Sequence, residues 1–237
     1  MNKLQHTLDQ ISKNYTETKG FEYRLLKYKQ LEVTKFCSGK CAIDIGCGVG
    51  ILTQRLAPLF QSLVGIDGSP QKILYAQKNN QSPNIIYKCV LFKDFRPDCQ
   101  FDTIIMTNVL EHIRNRFQFL NHIKKWLSPK GRIIVTVPNA KALHKRLGKE
   151  MGLIKNFYSL TPADKAKGHT KVYDSNRLSQ EFTRAGLRVI HNRGFFLKPF
   201  SSEQMAVYDD KILDGLYELG KKYPDLCSSL IIVGTKP

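Results

Sequence analysis

Ala42-Ile-Asp-Ile-Gly-Cys-Gly-Val-Gly50 is the most informative segment of this chain, because an apolar run leads directly into three glycines at alternate positions. The apolar run is typical of a buried strand, and residues 51–56 have a helix-like pattern. Glycine lets the backbone turn sharply and pass close to a ligand where a Cβ would collide. The segment therefore predicts a strand, a ligand-binding loop and a helix whose first N–H groups face the ligand.

Two acids flank this loop and narrow the class of ligand. Asp67 ends the next apolar run, where an acid can accept hydrogen bonds from ribose hydroxyls. Asp44 precedes Gly46 by two residues, and an acid at that place suits a cationic ligand better than a diphosphate. The dinucleotide fingerprint G-x-G-x-x-G/A fails, because its third small position falls on Ile51. The pattern favours a nucleoside that carries a positive charge.

The rest of the chain alternates between strand-like and helix-like segments, which predicts an α/β fold. Seven apolar runs predict strands, at residues 42–45, 62–66, 84–87, 101–106, 132–137, 187–190 and 230–233. The clearest helical spacing covers residues 109–127, and Ser128-Pro-Lys-Gly131 is expected to end that helix. Such alternation implies crossover connections and a mainly parallel sheet covered by helices on both faces.

Three segments lie outside this alternation. Residues 1–36 are predicted to be helical. Residues 140–171 form an insertion after the fifth strand, with eight Lys or Arg against two acids and a local balance of +6. Residues 201–220 predict a further helix, which begins with a capping box at Ser201-Ser-Glu-Gln204. Its apolar stripe is expected to pack in the core and consists of Met205, Tyr208, Ile212, Leu216 and Leu219.

The composition indicates one globular domain over residues 1–237 with a strong positive charge. Lys and Arg number 37 against 20 Asp and Glu, a formal charge of +17, which favours anionic small molecules, nucleic acid or an acidic membrane surface. No apolar run reaches the length of a membrane span, and residues 1–20 are too polar for a secretory signal. The six cysteines lack C-x-x-C spacing. We therefore expect free thiols in a reducing cytoplasm.

The acid followed by G-x-G-x-G resembles the first motif of class I S-adenosylmethionine (SAM) methyltransferases. Residues 101–106, 127–131, 137–139 and 178–187 resemble that family's fourth strand, the turn before its fifth strand, the end of that strand, and its late helix running into the sixth strand. The resemblance covers roughly residues 35–195 and the last strand. It implies a Rossmann-like seven-stranded sheet, mainly parallel with an antiparallel last strand. It also implies an enzyme that uses SAM as methyl donor and releases S-adenosylhomocysteine.

The resemblance assigns the cofactor to residues at the ends of the first four strands. They are Asp44, Gly46, Cys47, Gly48, Gly50, Asp67, Gly68, Ser69, Leu91, Phe92, Thr107 and Asn108. Asp44 and the three glycines are expected to contact the methionine portion, and Asp67 the ribose. Gly68 and Ser69 are expected near the adenine, with a backbone or stacking contribution from Leu91 or Phe92.

Transfer to a hydroxyl oxygen requires alignment with the donor and removal of a proton by a base or a metal. Thr107-Asn-Val-Leu-Glu-His112 resembles the E-x-x-E-H segment of ubiquinone-biosynthesis enzymes and of small-RNA 2′-O-methyltransferases. In the RNA group, that segment and a later His bind a divalent metal. The resemblance thus implies a Mg or Mn site at Glu111, His112 and His169, although Asn108 replaces the first acid.

Without a metal, His169 or His112 is the expected general base. Tyr173 is less suited because its ordinary pKa is about 10. Alternatively, Glu111 and His112 open a helix, where the helix dipole favours an acid. His144 lies in a basic run and is expected to be exposed.

The basic insertion supports several interpretations. It could cover a small or carrier-linked anionic acceptor of the glycosyl, phosphorylated or quinone-precursor type, with an apolar wall formed by Phe157, Tyr158, Phe195 and Phe196. It could track phosphates of RNA, or be a solvated basic face. The chain could also be a non-catalytic SAM-binding scaffold, or touch a membrane through its N-terminal segment. The intact loop and Asp67 favour an active O-methyltransferase on a small molecule. The oligomeric state is left open.

Overall fold

The computed structural model describes residues 9–10 and 18–237. Its strands form one seven-stranded sheet in the order β3-β2-β1-β4-β5-β7-β6. The strands are β1 (Cys41–Ile45), β2 (Ser62–Asp67), β3 (Ile85–Cys89), β4 (Phe101–Thr107), β5 (Leu127–Pro138), β6 (Arg188–Leu197) and β7 (Cys227–Thr235). Pairing from β3 through β5 is parallel, whereas β7 runs antiparallel to both β5 and β6. The predicted Rossmann-like sheet with an antiparallel last strand is confirmed.

Helices cover both faces of this sheet. They are α1 (Gly20–Thr34), α2 (Ile51–Leu56), α3 (Pro70–Asn79), α4 (Arg116–Lys124), α5 (Leu143–Glu150), α6 (Pro162–Ala166), α7 (Ser175–Arg184), α8 (Ser202–Met205) and α9 (Asp210–Gly220). Short 3₁₀ turns occur at Ala57–Leu59, Leu110–His112 and Pro224–Leu226. Within the described residues, no helix has the length and apolar character to cross a membrane. The predicted helical character of residues 1–36 can be compared only in part, since residues 1–8 and 11–17 lie outside the described residues.

The alternation of side chains along β1 divides the core into two clusters. Ile43 and Ile45 belong to the cluster that includes residues of α4 and α7. Ala42 belongs to the opposite cluster, which includes residues of α1 and α9. Successive residues of a strand face opposite sides, so a short apolar run can serve both layers.

The helix predicted over residues 109–127 is wrong in its length. A 3₁₀ turn at Leu110–His112 precedes α4, and β5 already begins at Leu127. Residues 128–131, expected to end the helix, belong to β5, because Leu127 pairs with Phe101 before the register shifts. The backbone N–H of Phe101 donates to the Trp126 carbonyl at 2.7 Å. The chain therefore pairs with β4 from this point, although the helical spacing of apolar residues extends to Leu127.

The single helix predicted over residues 201–220 is two helices, α8 and α9. The capping box at Ser201 is present, but Asp209 starts a new helix by accepting a hydrogen bond from the Ile212 N–H at 2.8 Å. Because the second helix starts at a new N-cap, the buried positions shift by one residue from the predicted stripe. Leu213 and Tyr217 are buried, whereas the predicted core residues Ile212 and Leu219 are 46% and 40% exposed.

Candidate active site

A cleft of about 1440 Å³ opens at the edge of the sheet where the parallel strands β1, β2, β4 and β5 end. The glycine loop after β1 forms one part of its wall, and α1 and the insertion at residues 140–171 form others. In open α/β sheets, ligands bind outside the carboxyl ends of the strands. The fold therefore places the predicted cofactor loop and the basic insertion in one cavity.

The glycine loop requires glycine for steric and conformational reasons. Gly46, Gly48 and Gly50 have φ values of 73°, 59° and 81°, in the left-handed region that other residues rarely adopt. A Cβ on Gly46 would lie 2.5 Å from Val109 Cγ2. The N–H of Gly46 donates to the Ile66 carbonyl at 2.7 Å, which ties the loop to β2.

Gly50 does not line the cleft, contrary to the predicted contact with the methionine portion. Its missing Cβ leaves room for Tyr87, whose hydroxyl oxygen would lie 2.5 Å from a Cβ at this position. The Tyr87 hydroxyl donates to the Gly50 carbonyl at 3.1 Å. Gly50 therefore sets the start of α2 by packing against β3.

Asp44 places a buried carboxyl group beside the loop. Its side chain is 1% exposed, and its Oδ2 accepts a hydrogen bond from Thr53 Oγ1 at 2.7 Å. Oδ1 is buried and has no hydrogen-bond partner among the described residues. Burial raises the pKa of this carboxyl to about 7. An unpartnered carboxylate oxygen at the cleft wall fits a ligand with an ammonium group.

Asp67 links the loop to the end of β2. Its Oδ2 accepts from the Gly48 N–H at 3.0 Å and its Oδ1 from the Ser69 N–H at 2.8 Å. Ser69 also caps α3, and its hydroxyl donates to Asp9. These bonds hold the Asp67 carboxylate at the cleft wall, where a ribose would meet it.

The remaining predicted cofactor residues lie on the same wall. Phe92 packs edge-on against Phe119 with ring centroids 4.6 Å apart, and Leu91 is buried beside it. Asn108 follows β4 with a φ of 57°, and its Oδ1 accepts a hydrogen bond from Lys29 Nζ at 3.2 Å. All the predicted cofactor residues except Gly50 line the cleft.

A second cluster brings together the three predicted metal ligands. Glu111, His112 and His169 each offer a ligand atom, and these atoms lie within 4.8 Å of one another. Neither Glu111 side-chain oxygen has a hydrogen-bond partner among the described residues, and burial raises its pKa to about 7. Glu111 and His112 lie on a 3₁₀ turn and do not open an α-helix.

His169 is held by a carboxylate that the sequence analysis missed. Its Nδ1 lies 3.1 Å from Asp164 Oδ1. Burial acts to raise the Asp164 pKa, but hydrogen bonds from His169 and Thr161 outweigh it and hold this pKa well below its ordinary value. Asp164 closes a capping box that starts at Thr161, and the T-x-x-D pattern was the signal that could have located it.

The other candidate bases have different environments. Burial, with the nearby His169, lowers the His112 pKa to about 4, and its Nδ1 lies 3.2 Å from the Gly168 carbonyl. Tyr173 is fully buried, does not line the cleft and has a pKa raised by burial, so its predicted role as a base is wrong. His144 lines the cleft and is half-buried, contrary to the predicted exposure.

The predicted aromatic wall of the acceptor pocket is wrong. Phe195 and Phe196 are buried in the core between the sheet and α1. The Tyr158 hydroxyl donates to Asp174 Oδ2 at 2.5 Å, and Phe157 lies under the Lys149 ammonium. None of these four side chains lines the cleft. Polar residues line the cleft in their place, among them Lys145 of the basic insertion and two lysines that the sequence did not indicate, Lys29 and Lys198.

A family model for a methyltransferase domain matches residues 19–192, which include the glycine loop, Asp67 and His169. The chain belongs to this family. This result confirms the predicted family of SAM-dependent methyltransferases and the predicted transferase class.

Curated relatives of this methyltransferase domain carry the name ubiquinone biosynthesis O-methyltransferase. The mouse mitochondrial protein is 29% identical over 175 residues, which is 69% of this chain and 45% of the relative. The Dictyostelium discoideum protein is 35% identical over 115 residues, 43% of this chain and 36% of the relative. A Coxiella burnetii protein is 27% identical over 75% of both chains. The chain thus spans less than half the length of the first two.

Solved structures share the fold of this methyltransferase domain. The N-methyltransferase NodS from Bradyrhizobium japonicum, in complex with S-adenosylhomocysteine, superposes with a TM-score of 0.61 at 16% identity and covers both chains completely. A SAM-dependent methyltransferase from Mesorhizobium loti gives 0.63 at 16% identity, over 88% of this chain and 97% of the other. At this identity, the likeness concerns the fold.

Proposed function

We propose that this protein transfers the methyl group of SAM to a hydroxyl oxygen of a small or carrier-linked acceptor. The observation that carries the proposal is the pairing of His169 with Asp164 in the same cleft as the glycine loop. The names of the curated relatives favour a quinone precursor over a glycosyl or phosphorylated acceptor.

The cofactor side of the cleft suits SAM. When bound, SAM supplies a methyl group activated by its sulfonium. The unpartnered Oδ1 of Asp44 would accept from the ammonium group, and Asp67, oriented by Gly48 and Ser69, would bind the ribose. Leu91 and Phe92 would pack against the adenine.

His169 would act as the general base. The Asp164 carboxylate accepts a hydrogen bond from Nδ1–H and so leaves the other ring nitrogen free to take the proton of the acceptor hydroxyl. The acceptor oxygen forms its bond to the methyl carbon as the sulfur–carbon bond breaks, and the proton passes to His169. Because the lowered pKa keeps His112 neutral near pH 7, it adds no positive charge beside the base.

The metal-dependent alternative fits this cluster less well. Glu111 and the two imidazoles offer one carboxylate and two nitrogen donors, and a divalent cation held there would polarise the acceptor oxygen. The family's first acid, however, is Asn108, whose Oδ1 already accepts from Lys29. A neutral ligand next to an ammonium group weakens cation binding, so we favour His169 as the base.

The proposal is tested by incubating the protein with methyl-labelled SAM and a cell extract and then fractionating the label. The wild type is expected to label a small-molecule or lipid-linked fraction, with or without a metal chelator. His169→Gln should lower kcat by about 10²- to 10⁴-fold, the range for loss of a general base, while S-adenosylhomocysteine binds as before. His191→Gln is the matched control, because His191 packs against Phe36 and does not line the cleft.

Three results would contradict the proposal in different ways. Nuclease-sensitive label in a polymer fraction would make RNA or DNA the acceptor and the insertion a phosphate track. A loss of methyl transfer when a metal chelator is added, reversed by adding Mg or Mn, would favour the metal-dependent route. An unchanged kcat in His169→Gln would exclude His169 as the general base.

A further inference from the structure

Three lysines from separate segments line the part of the cleft built by the insertion and the end of β6. Lys145 lies on α5, Lys167 follows α6, and Lys198 follows β6. Each is partly buried. Long ammonium side chains usually extend into water, so three that line one cavity need an explanation.

The charges of these lysines act on one another. Burial lowers the Lys198 pKa; the charge of Glu22 acts to raise it, and the charges of Lys167 and Lys145 lower it. Burial also lowers the Lys145 pKa. Three ammonium groups that line one cleft wall favour an anionic ligand there.

Two acids also act on these lysines, because the charge of Asp164 acts to raise the pKa of Lys145 and that of Glu22 the pKa of Lys198. Asp164 is hydrogen-bonded to His169 and Thr161. Glu22 accepts from the Ser202 hydroxyl at 2.7 Å, and Ser202 in turn accepts from Lys198 Nζ at 2.7 Å. Among the ion pairs of the described residues, none involves Lys145 or Lys198.

Some other basic residues of the insertion have ion-pair partners or lie away from the cleft. Lys141 forms an ion pair with Asp174 at 2.9 Å, and Lys171 forms one with Glu181 at 2.5 Å. Lys155 is exposed and does not line the cleft. The positive surplus of the insertion is therefore divided between a solvated face and a part aimed at the cavity.

We infer that Lys145, Lys167 and Lys198, with His144, bind an oxyanion of the methyl acceptor, either a carboxylate or a phosphoryl group. His144 lines the same wall, and its Nδ1 is buried without a hydrogen-bond partner among the described residues. A bound anion would offset the cost of desolvating the lysines. The inference rests on the proposed function only in assigning this part of the cleft to the acceptor.

Anion binding can be measured without methyl transfer. Inorganic phosphate and acetate are titrated by calorimetry into the protein saturated with S-adenosylhomocysteine, at constant ionic strength. Lys145→Gln and Lys198→Gln should each weaken binding at least tenfold, whereas Lys155→Gln, which removes the same charge from the same insertion, should stay within twofold. A preference for phosphate indicates a phosphoryl acceptor, and a preference for acetate indicates a carboxylate.

Separate readouts keep this test independent of folding and of the reaction. Affinity for S-adenosylhomocysteine reports whether each variant is folded. If Lys198→Gln unfolds, Lys198→Arg replaces it in the test: it keeps the charge and should retain anion binding. No saturable binding of either anion, or an equal loss in Lys155→Gln, would overturn the inference. Anion binding in a protein that transfers no methyl group would leave the inference standing and remove the proposed function.

Discussion

If Asp44 binds the cofactor as proposed, this one buried side chain couples cofactor binding to pH. Its Oδ2 is satisfied by Thr53, and its Oδ1 lies buried without a partner in the described structure. Burial raises the pKa to about 7, so the neutral and ionised forms are nearly balanced near physiological pH. Only the ionised form attracts an ammonium group.

Affinity for S-adenosylhomocysteine should therefore rise about tenfold between pH 6 and pH 8, as the ionised fraction of Asp44 grows from roughly one tenth to nine tenths. Calorimetric titration across this range measures it. In Asp44→Asn, the affinity should be low and independent of pH.

Thr53→Val serves as the control for this assignment. The Thr53 hydroxyl stabilises the ionised carboxylate, so its removal should move the rise in affinity to higher pH. An affinity that does not change with pH in the wild type would exclude ionised Asp44 as the partner of the ammonium group.

At the scale of elements, a small polar cluster joins the insertion to α7. Asp174 caps α7 by accepting from the Arg177 N–H at 2.9 Å. The same carboxylate accepts from the Tyr158 hydroxyl and pairs with Lys141. Burial acts to raise the Asp174 pKa, but these hydrogen bonds lower it to about 2. The cluster thus fastens a lid-like segment to the rigid part of the fold.

Asp174→Asn should loosen this attachment, because asparagine can still cap a helix but cannot form the ion pair. We expect a loss of about 2 kcal/mol in unfolding free energy at pH 7 and faster hydrogen exchange within residues 140–171. The folded-state pKa lies below the unfolded value, so the contribution is complete above about pH 4 and is lost toward pH 2.

Glu218→Gln is the control for that measurement, since its ion pair with Lys221 is solvent-exposed and should contribute less than about 0.5 kcal/mol. Equal losses in the two variants, or a difference that persists unchanged at about pH 1, where Asp174 is protonated in the folded state, would show that the charge of Asp174 does not hold the insertion.

At the scale of the whole molecule, segments far apart in sequence build one cleft. Helix α1 is joined to α9 by ion pairs of Arg24 with Asp210 at 2.7 Å and of Lys27 with Asp214 at 2.6 Å. The same helix reaches the end of β4 through Lys29 and Asn108. A ligand in the cleft should consequently stabilise the folded chain as a unit.

S-adenosylhomocysteine at a hundred times its Kd should stabilise the protein by about 2.7 kcal/mol. In a chain of this size, that raises Tm by roughly 5–10 °C, with one transition in calorimetry. Gly48→Arg should fold with a Tm a few degrees lower, because its φ of 59° strains arginine, and should show no such rise. A ligand-induced rise in this variant would place the cofactor elsewhere.

The sequence by itself determined the sheet and most of the cleft wall that we assign to the cofactor. Strand alternation, positive-φ glycines and the acids Asp44 and Asp67 are local features, because each depends on a few neighbouring residues and on the edge where parallel strands end. Local signals failed where a second local signal contradicted the first. The apolar spacing of residues 201–220 predicts one helix, but the N-cap at Asp209 starts a new helix within that pattern.

Only the tertiary structure decided the part of the cleft that we propose for the acceptor. The pairing of His169 with Asp164, the approach of Lys198 to Lys145, and the hydrogen bond from Lys29 to Asn108 join side chains whose meeting depends on how the insertion, β6 and α1 fold back over the sheet. Gly50 illustrates the same limit, since its neighbour Tyr87 lies 37 positions away. Periodicity describes the face of one element, and it carries no information about which distant side chain will meet that face.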